Sequence, residues 1–138
     1  MSERDKINRL IENSDLVIKV YGYWPSFHDS EVVDFGIHTT KIEEKYVTDI
    51  KITILHRGQD NPQWKRAGPT CCIEISCRNV SNVDLKLNDI AGGNWIQELN
   101  ITGAGDVGVD LELVPLAGLD LRLKCEVIEV AGIYPVPL

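Results

Sequence analysis

No stretch of this 138-residue chain stays apolar for the roughly 20 residues that a membrane-spanning helix takes. A secretory leader is missing too. The chain opens Met-Ser-Glu-Arg-Asp-Lys and mixes charge with apolar residues, with no uninterrupted hydrophobic stretch behind a basic start. The expected location is the cytoplasm, where the acceptor patterns at Asn79-Val-Ser81 and Asn100-Ile-Thr102 have no meaning. No membrane partner is expected. Positive charge is scarce: 14 Lys and Arg face 21 Asp and Glu, a net charge of −7. A nucleic-acid binder needs a cationic surface for phosphates, so that class is excluded. The same acidity steers a basic protein partner towards the chain. Cysteines at metal or redox spacing are absent. Cys71, Cys72, Cys77 and Cys125 form no C-x-x-C and have no His at zinc-finger distance, so they read as small buried apolar residues. With 43% apolar and 25% charged residues, no repeat and no linker, the composition is that of one globular domain over residues 1–138.

Two periodicities divide the chain. Ile7, Leu10 and Ile11 have the spacing of one helical face, and a second short helix is expected through Leu16, Val17 and Val20, capped by Asn13 or Ser14 and stopped by Gly22. The helical segment is placed at 4–22. From residue 31 the period becomes two. Val33, Phe35 and Ile37 alternate with polar or small residues, as do Ile50, Ile52 and Ile54, then Ile73 and Ile75, then Val83, Leu85 and Leu87. Val109, Leu111 and Leu113 and the run Leu119, Leu121, Leu123, Cys125 and Val127 do the same. Successive strand side chains point to opposite faces, so each segment has one core face and one wet face. Half-wet strands favour antiparallel pairing. The fold class is therefore α+β, a predominantly antiparallel sheet of about six or seven strands over residues 30–131 behind one or two short helices. The phase slips after Val127, where Ile128 and Val130 become the apolar positions, and a β-bulge or a second buried face would account for it. Asn94 to Ile101 is expected to be a strand or a helical turn leading into one, with Trp95 in the core.

The connections are short except one. Arg57 to Thr70 has no periodicity, holds two prolines and two glycines, and is locally basic around Trp64. Gly103-Ala-Gly105-Asp-Val-Gly108 fits a dinucleotide fingerprint, but a period-two segment follows it instead of the helix whose N-terminus would hold the pyrophosphate. It is a glycine-rich hairpin loop, and no cofactor is expected. No G-x-S-x-G is present, and no serine stands where a strand turns into a helix.

The densest signal is Trp24-Pro-Ser-Phe-His-Asp-Ser-Glu31, between the helical part and the first strand. His28, Asp29 and Glu31 have the chemistry of a metal-dependent or acid–base cluster, but nothing in the sequence brings His38 or His56 to them. On the structural reading, Pro25 fixes the chain direction, Trp24 and Phe27 bury apolar area, and His28 and Asp29 bond to backbone where the strand begins. The segment resembles the immunity protein 50 family of bacterial toxin–immunity systems, whose members carry a W-P-S-F-H-D-x-E-V-like stretch. Trp24, Pro25, Ser26, Phe27, His28, Asp29, Glu31 and Val32 match it position by position. Looser similarity runs through residues 73–87, 94–99 and the strand through Cys125, from about residue 15 to 130. The resemblance implies a non-catalytic inhibitor that binds a cognate protein toxin, with a basic nuclease suited to the −7 charge. It assigns no catalytic, cofactor or metal residue. Trp24, Pro25, Phe27, His28, Asp29 and Glu31 are then motif residues or partner contacts. Trp64, Asp34, Asp84, Asp110 and Glu112 are candidates for the interface. The alternatives are an enzyme centred on His28, Asp29 and Glu31, or a structural module that self-associates through an edge strand or the Tyr134–Leu138 tail.

Overall fold

A computed structural model of the chain describes residues 3–60, 68–104 and 108–136. Helix α1 (Glu3–Leu10) sets Ile7 and Leu10 against the core. The face expected to include Ile11 ends one residue earlier. Ile11 and Glu12 form a short strand, β1, that pairs in parallel with Ile128 and Glu129, and Ile11 is fully buried there. Asn13 takes a left-handed turn, φ +61°, and helix α2 (Asp15–Tyr21) follows. Ser14 occupies the cap position but its hydroxyl bonds to the Asn8 side chain rather than to the helix start. Gly22 stops α2 as the sequence predicts, with φ +87° and its N–H on the Ile18 carbonyl at 2.7 Å. The buried face of α2 is Val17, Ile18 and Tyr21. Leu16 and Val20, on the same helix, face outward.

The body consists of β2 (Glu31–Ile42), β3 (Lys45–His56), β4 (Cys71–Asn88), β5 (Trp95–Gly103) and β6 (Val109–Pro135), with a 3-10 turn at Ile90–Gly92. The sheet order is β1-β6-β4-β3-β2-β5, and every pairing except that of β1 is antiparallel. Because β5 also pairs with β6, the ladders close into a ring. Strand β6 makes this possible. Its Val109–Ala117 half pairs with β5 and its Gly118–Pro135 half pairs with β4. An extended strand would hold residues ten apart at about 33 Å, yet Arg122 Nε lies 3.3 Å from a Glu112 carboxylate oxygen. The strand therefore folds back sharply between those residues, near Pro115–Gly118. What the sequence shows as two alternating segments is one bent strand.

The core is the set of inward positions on this ring. It comprises Ile50, Ile52 and Ile54 on β3, Cys71, Ile73, Ile75 and Cys77 on β4, and Leu111, Leu113, Leu119, Leu121 and Leu123 on β6. The expected phase slip is present. The buried series passes from Cys125 to Ile128 and Val130. Opposite, β4 steps from Cys77 to Val80 around Asn79, whose φ is +53°. The Asn79 N–H bonds the Asp49 carboxylate at 2.9 Å and its amide donates to Glu126 at 2.8 Å. The β3–β4 ladder ends at Ile50↔Cys77. Beyond that point the β2–β3 hairpin and the far half of β4 continue as two separate ribbons, leaving Ile37, Tyr46, Val83 and Leu87 exposed.

The bend should depend on Gly118, which has φ +88°. A Cβ there would lie 2.2 Å from the Asn94 side-chain oxygen and 2.8 Å from the Gly93 carbonyl. Gly118→Ala is expected to cost about 2–4 kcal/mol in urea unfolding. Gly36→Ala, where a Cβ meets nothing within 4 Å, should be neutral or stabilising by up to about 1 kcal/mol.

Candidate functional site

The Trp24–Glu31 segment closes the ring. The Asp29 N–H donates to the Ile96 carbonyl at 2.9 Å, Ile96 N–H to Ser30 O at 2.9 Å, and Val32 N–H to Asn94 O at 2.7 Å. These bonds join the start of β2 to β5. To make them the chain turns tightly, with Phe27 at φ +64° and Asp29 at φ +65°. A left-handed phenylalanine is disfavoured. Here the ring is fully buried and stands edge-on to Trp24 at 5.6 Å, and full burial of such a side chain is worth about 1.5–3 kcal/mol.

Next to this turn lies a sealed polar group. The inward series Ile50, Ile52, Ile54 continues by parity to His56, which is 0% exposed. Its Nδ1 is 2.7 Å from Ser30 Oγ, and Ser30 is buried as well. Its Nε2 is 3.2 Å from Asp60 Oδ1, an ion-pair distance whose angle departs from a straight N–H···O bond. Tyr21 and Phe27 present ring edges to the imidazole, with centroids 4.9 and 5.2 Å away. The Gln59 amide donates to Ser30 Oγ at 3.2 Å and to the His28 carbonyl at 2.8 Å. The ionised Asp60 carboxylate only accepts, so Nε2 carries the hydrogen that faces it, while Ser30 Oγ accepts from Gln59 and shares a second hydrogen bond with Nδ1.

The Asp60 carboxylate also accepts the Tyr23 hydroxyl, the Ser26 N–H at 2.7 Å and the Ser26 hydroxyl at 2.9 Å. Burial pushes its pKa up, but hydrogen bonds from His56, Tyr23 and Ser26 more than offset that and hold it well below the usual carboxylate range. Desolvation, followed by the hydrogen bond to Asp60, raises the Tyr23 hydroxyl above its ordinary value, so it stays a donor. Desolvation and the Cys71 thiol do the same for Tyr21. The Tyr21 hydroxyl bridges the carbonyls of His56, at 3.1 Å, and Pro69, at 2.9 Å. It pins together the two ends of the long connection between β3 and β4.

Ser30, His56 and Asp60 have the composition of a hydrolytic triad, invisible in the chain order because 26 residues separate the serine from the histidine. The arrangement is not one that can react. Ser30 Oγ is walled in by His56 and Gln59 and is 1% exposed, so no reacting atom can stand beside it. The group is an internal strut. The cluster weighed as the alternative, His28, Asp29 and Glu31, lies along the surface. His28 Nδ1 bonds the Gln97 carbonyl at 2.9 Å, and its Nε2 is 3.5 Å from Asp29, both side chains being more than half exposed. The Glu31 carboxylate lies against Gly93. His38 is on the exposed part of β2, and His56 faces inward to Ser30. Among the described residues no three His, Cys, Asp or Glu side chains are grouped to hold a metal ion. Pro25 and Phe27 are buried and Trp24 is half-buried. Trp95, expected in the core, is only half-buried and donates to the Gly92 carbonyl; the inward residue is Ile96, between two register shifts.

Three of the acidic interface candidates come together. Asp84, Asp110 and Glu112 line an open groove of about 800 Å³ between the two arms of β6, over Val83, Leu111 and Leu123. Glu112 is engaged by Arg122 and by the Asn100 amide at 3.1 Å. Asp34 sits apart on β2, opposite Thr53. Trp64 lies outside the described residues. Tyr21, Tyr23, Ser30, His56, Gln59 and Asp60 were missed in the sequence. The one signal for any of them was the parity of His56 with the apolar positions of β3.

The model of the family described as Immunity protein 50 matches residues 13–136, and the chain belongs to that family. No curated protein and no solved structure matches it.

Asp60→Asn should cost about 2–4 kcal/mol at neutral pH, because it removes the charge shared by donors on buried His56, half-buried Tyr23 and exposed Ser26. The sign with pH follows from the lowered pKa. Asp60 stabilises the fold fully above about pH 4–5, and the contribution fades as pH falls towards its folded-state value. Urea midpoints from pH 6 to pH 2.5 should therefore fall more steeply for the native chain than for Asp60→Asn.

Proposed function

We propose that this protein binds a cognate bacterial toxin in the cytoplasm and neutralises it by occupying it rather than by chemistry. The observation that carries the reading is the match of the Immunity protein 50 family to residues 13–136. The site supports a non-catalytic role. The motif residues close a sheet and hold a loop, and Ser30, His56 and Asp60 are spent on one another inside the fold. What remains for a partner is the outer surface: the groove bearing Asp84, Asp110 and Glu112 and the apolar side chains on the two ribbons.

A net charge of −7 suits a basic toxin, and a basic nuclease is the class we favour. Acidic side chains on the rim of an interface raise the rate of encounter and are screened by salt. The reading gives the family motif a supporting part and the outer surface the recognising part.

Co-expression with the toxin encoded beside this gene should restore growth, and the two proteins should co-elute as a complex. Unchanged toxicity with no complex would overturn the proposal. For the complex, the association rate should drop about tenfold or more between 20 and 300 mM salt. His28→Ala should lower the thermal midpoint modestly and leave neutralisation intact, whereas a catalytic His28 would give the reverse.

A further inference from the structure

The core is finished on one side of β4 and open on the other. Over residues 82–88 the strand pairs in unbroken register with residues 118–124 of β6. Val83, Leu85 and Leu87 lie directly opposite Leu123, Leu121 and Leu119 and share their face of the ladder. The three β6 leucines are 5%, 0% and 2% exposed, whereas Val83 is 45% and Leu87 56% exposed, with Leu85 half-buried. The neighbours explain the difference. The β3–β4 ladder ends at Ile50↔Cys77, and among the described residues no strand pairs with the other side of 82–88. Natural sheets blunt such an edge with proline, a bulge or an inward charge. This segment, NVDLKLN, has no proline, no register break and only apolar side chains on its inward face.

The segment is also its own complement. Reversed about Leu85, Asn82 meets Asn88, Val83 meets Leu87, and Asp84 meets Lys86. We propose that two copies of this chain pair antiparallel through the free edge of β4, with Leu85 opposite Leu85 of the second copy. A two-fold axis normal to the sheet at that point keeps both inward faces on one side. On that face Leu123 and Val83 continue into Leu87 and Leu119 of the second copy, so the half-covered side chains gain the neighbour they lack. On the outer face Arg122 and Asp84 continue into Lys86 and Asp120 of the second copy, and the charges alternate in sign across the seam.

The charges also choose the register. Moving the centre by one residue, to Asp84 or to Lys86, sets like charges directly opposite each other. The pairing is independent of toxin binding. Ile37 and Tyr46 on the β2–β3 hairpin, and Asp110 and Glu112 in the groove, lie on other strands and stay outside the seam. The edge is short, so the dimer forms reversibly and depends on concentration.

The test is sedimentation equilibrium of the full chain, without toxin, from about 1 μM to about 1 mM. The native mass should rise from 15.4 kDa towards twice that value. Asp84→Lys and Lys86→Asp each set like charges opposite at both ends of the seam, and each should weaken association about tenfold or more. Both side chains are exposed, so both variants keep the fold. Mixing the two variants should restore the dimer, because each supplies the sign that the other lacks; loss of folding would not be rescued in this way. A native chain that stays at 15.4 kDa throughout, a dimer that both variants retain, or a mixture no tighter than either variant alone would each overturn the proposal.

Discussion

An imidazole shut away from solvent needs partners within the protein for both ring nitrogens. His56 reaches in two directions, to Ser30 at the start of β2 and to Asp60 on the connection after β3. Segments about thirty residues apart in sequence are thereby fixed to one side chain. Asp60 extends the fixing to Tyr23 and Ser26 ahead of the turn, and Gln59 extends it to His28 within the turn. The aromatic rings of Tyr21 and Phe27 seal the imidazole from solvent and raise the cost of leaving any of these groups unpaired. Removing one partner therefore disturbs the turn, the ring closure and the root of the long connection together.

The chemistry of the motif is thus turned inward. A left-handed phenylalanine and a left-handed aspartate are tolerated because they deliver three backbone hydrogen bonds between β2 and β5, where the pairing of those strands is shortest. On the proposed role, the scaffold's task is to hold a surface still. Ordering that surface in advance lowers the entropy lost on association. The Tyr21 hydroxyl, clamped across both ends of the long connection, serves that end directly.

Period-two alternation placed the inward faces of β3, β6 and the first half of β4, because side-chain direction in a strand is a local property; Val33, Ile37, Val83 and Leu87, expected on core faces, are exposed, and Val32 is the buried residue of β2. Ile50 to Ile54, Ile73 to Cys77 and Leu119 to Cys125 all face the core as their spacing says. Connectivity was less legible. Pro115 and Gly118 read as a break between two strands, but the ladder continues through them as a bend, since Asn94 caps the turn by accepting the Leu119 N–H at 2.9 Å. Residues 73–87 likewise read as two strands around Asn79, where a left-handed step keeps β4 continuous. The helical face was misplaced at Ile11 because helices this short are set by what they dock against. The site was the least legible part. The motif was visible as a word, but the partners that explain it, His56, Gln59 and Asp60, come from a distant segment, and polar pairing over that distance leaves no periodic trace.

The inward, scaffolding character of the motif is tested most directly by amide hydrogen exchange on Asp60→Asn beside the native chain. Exchange at Asp29, Val32 and Ile96, the amides that close β2 on β5, should accelerate together by about tenfold or more, with Leu121 in the β4–β6 ladder less affected. Unchanged protection at those three amides would contradict it, since the carboxylate would then be holding nothing beyond its own neighbours.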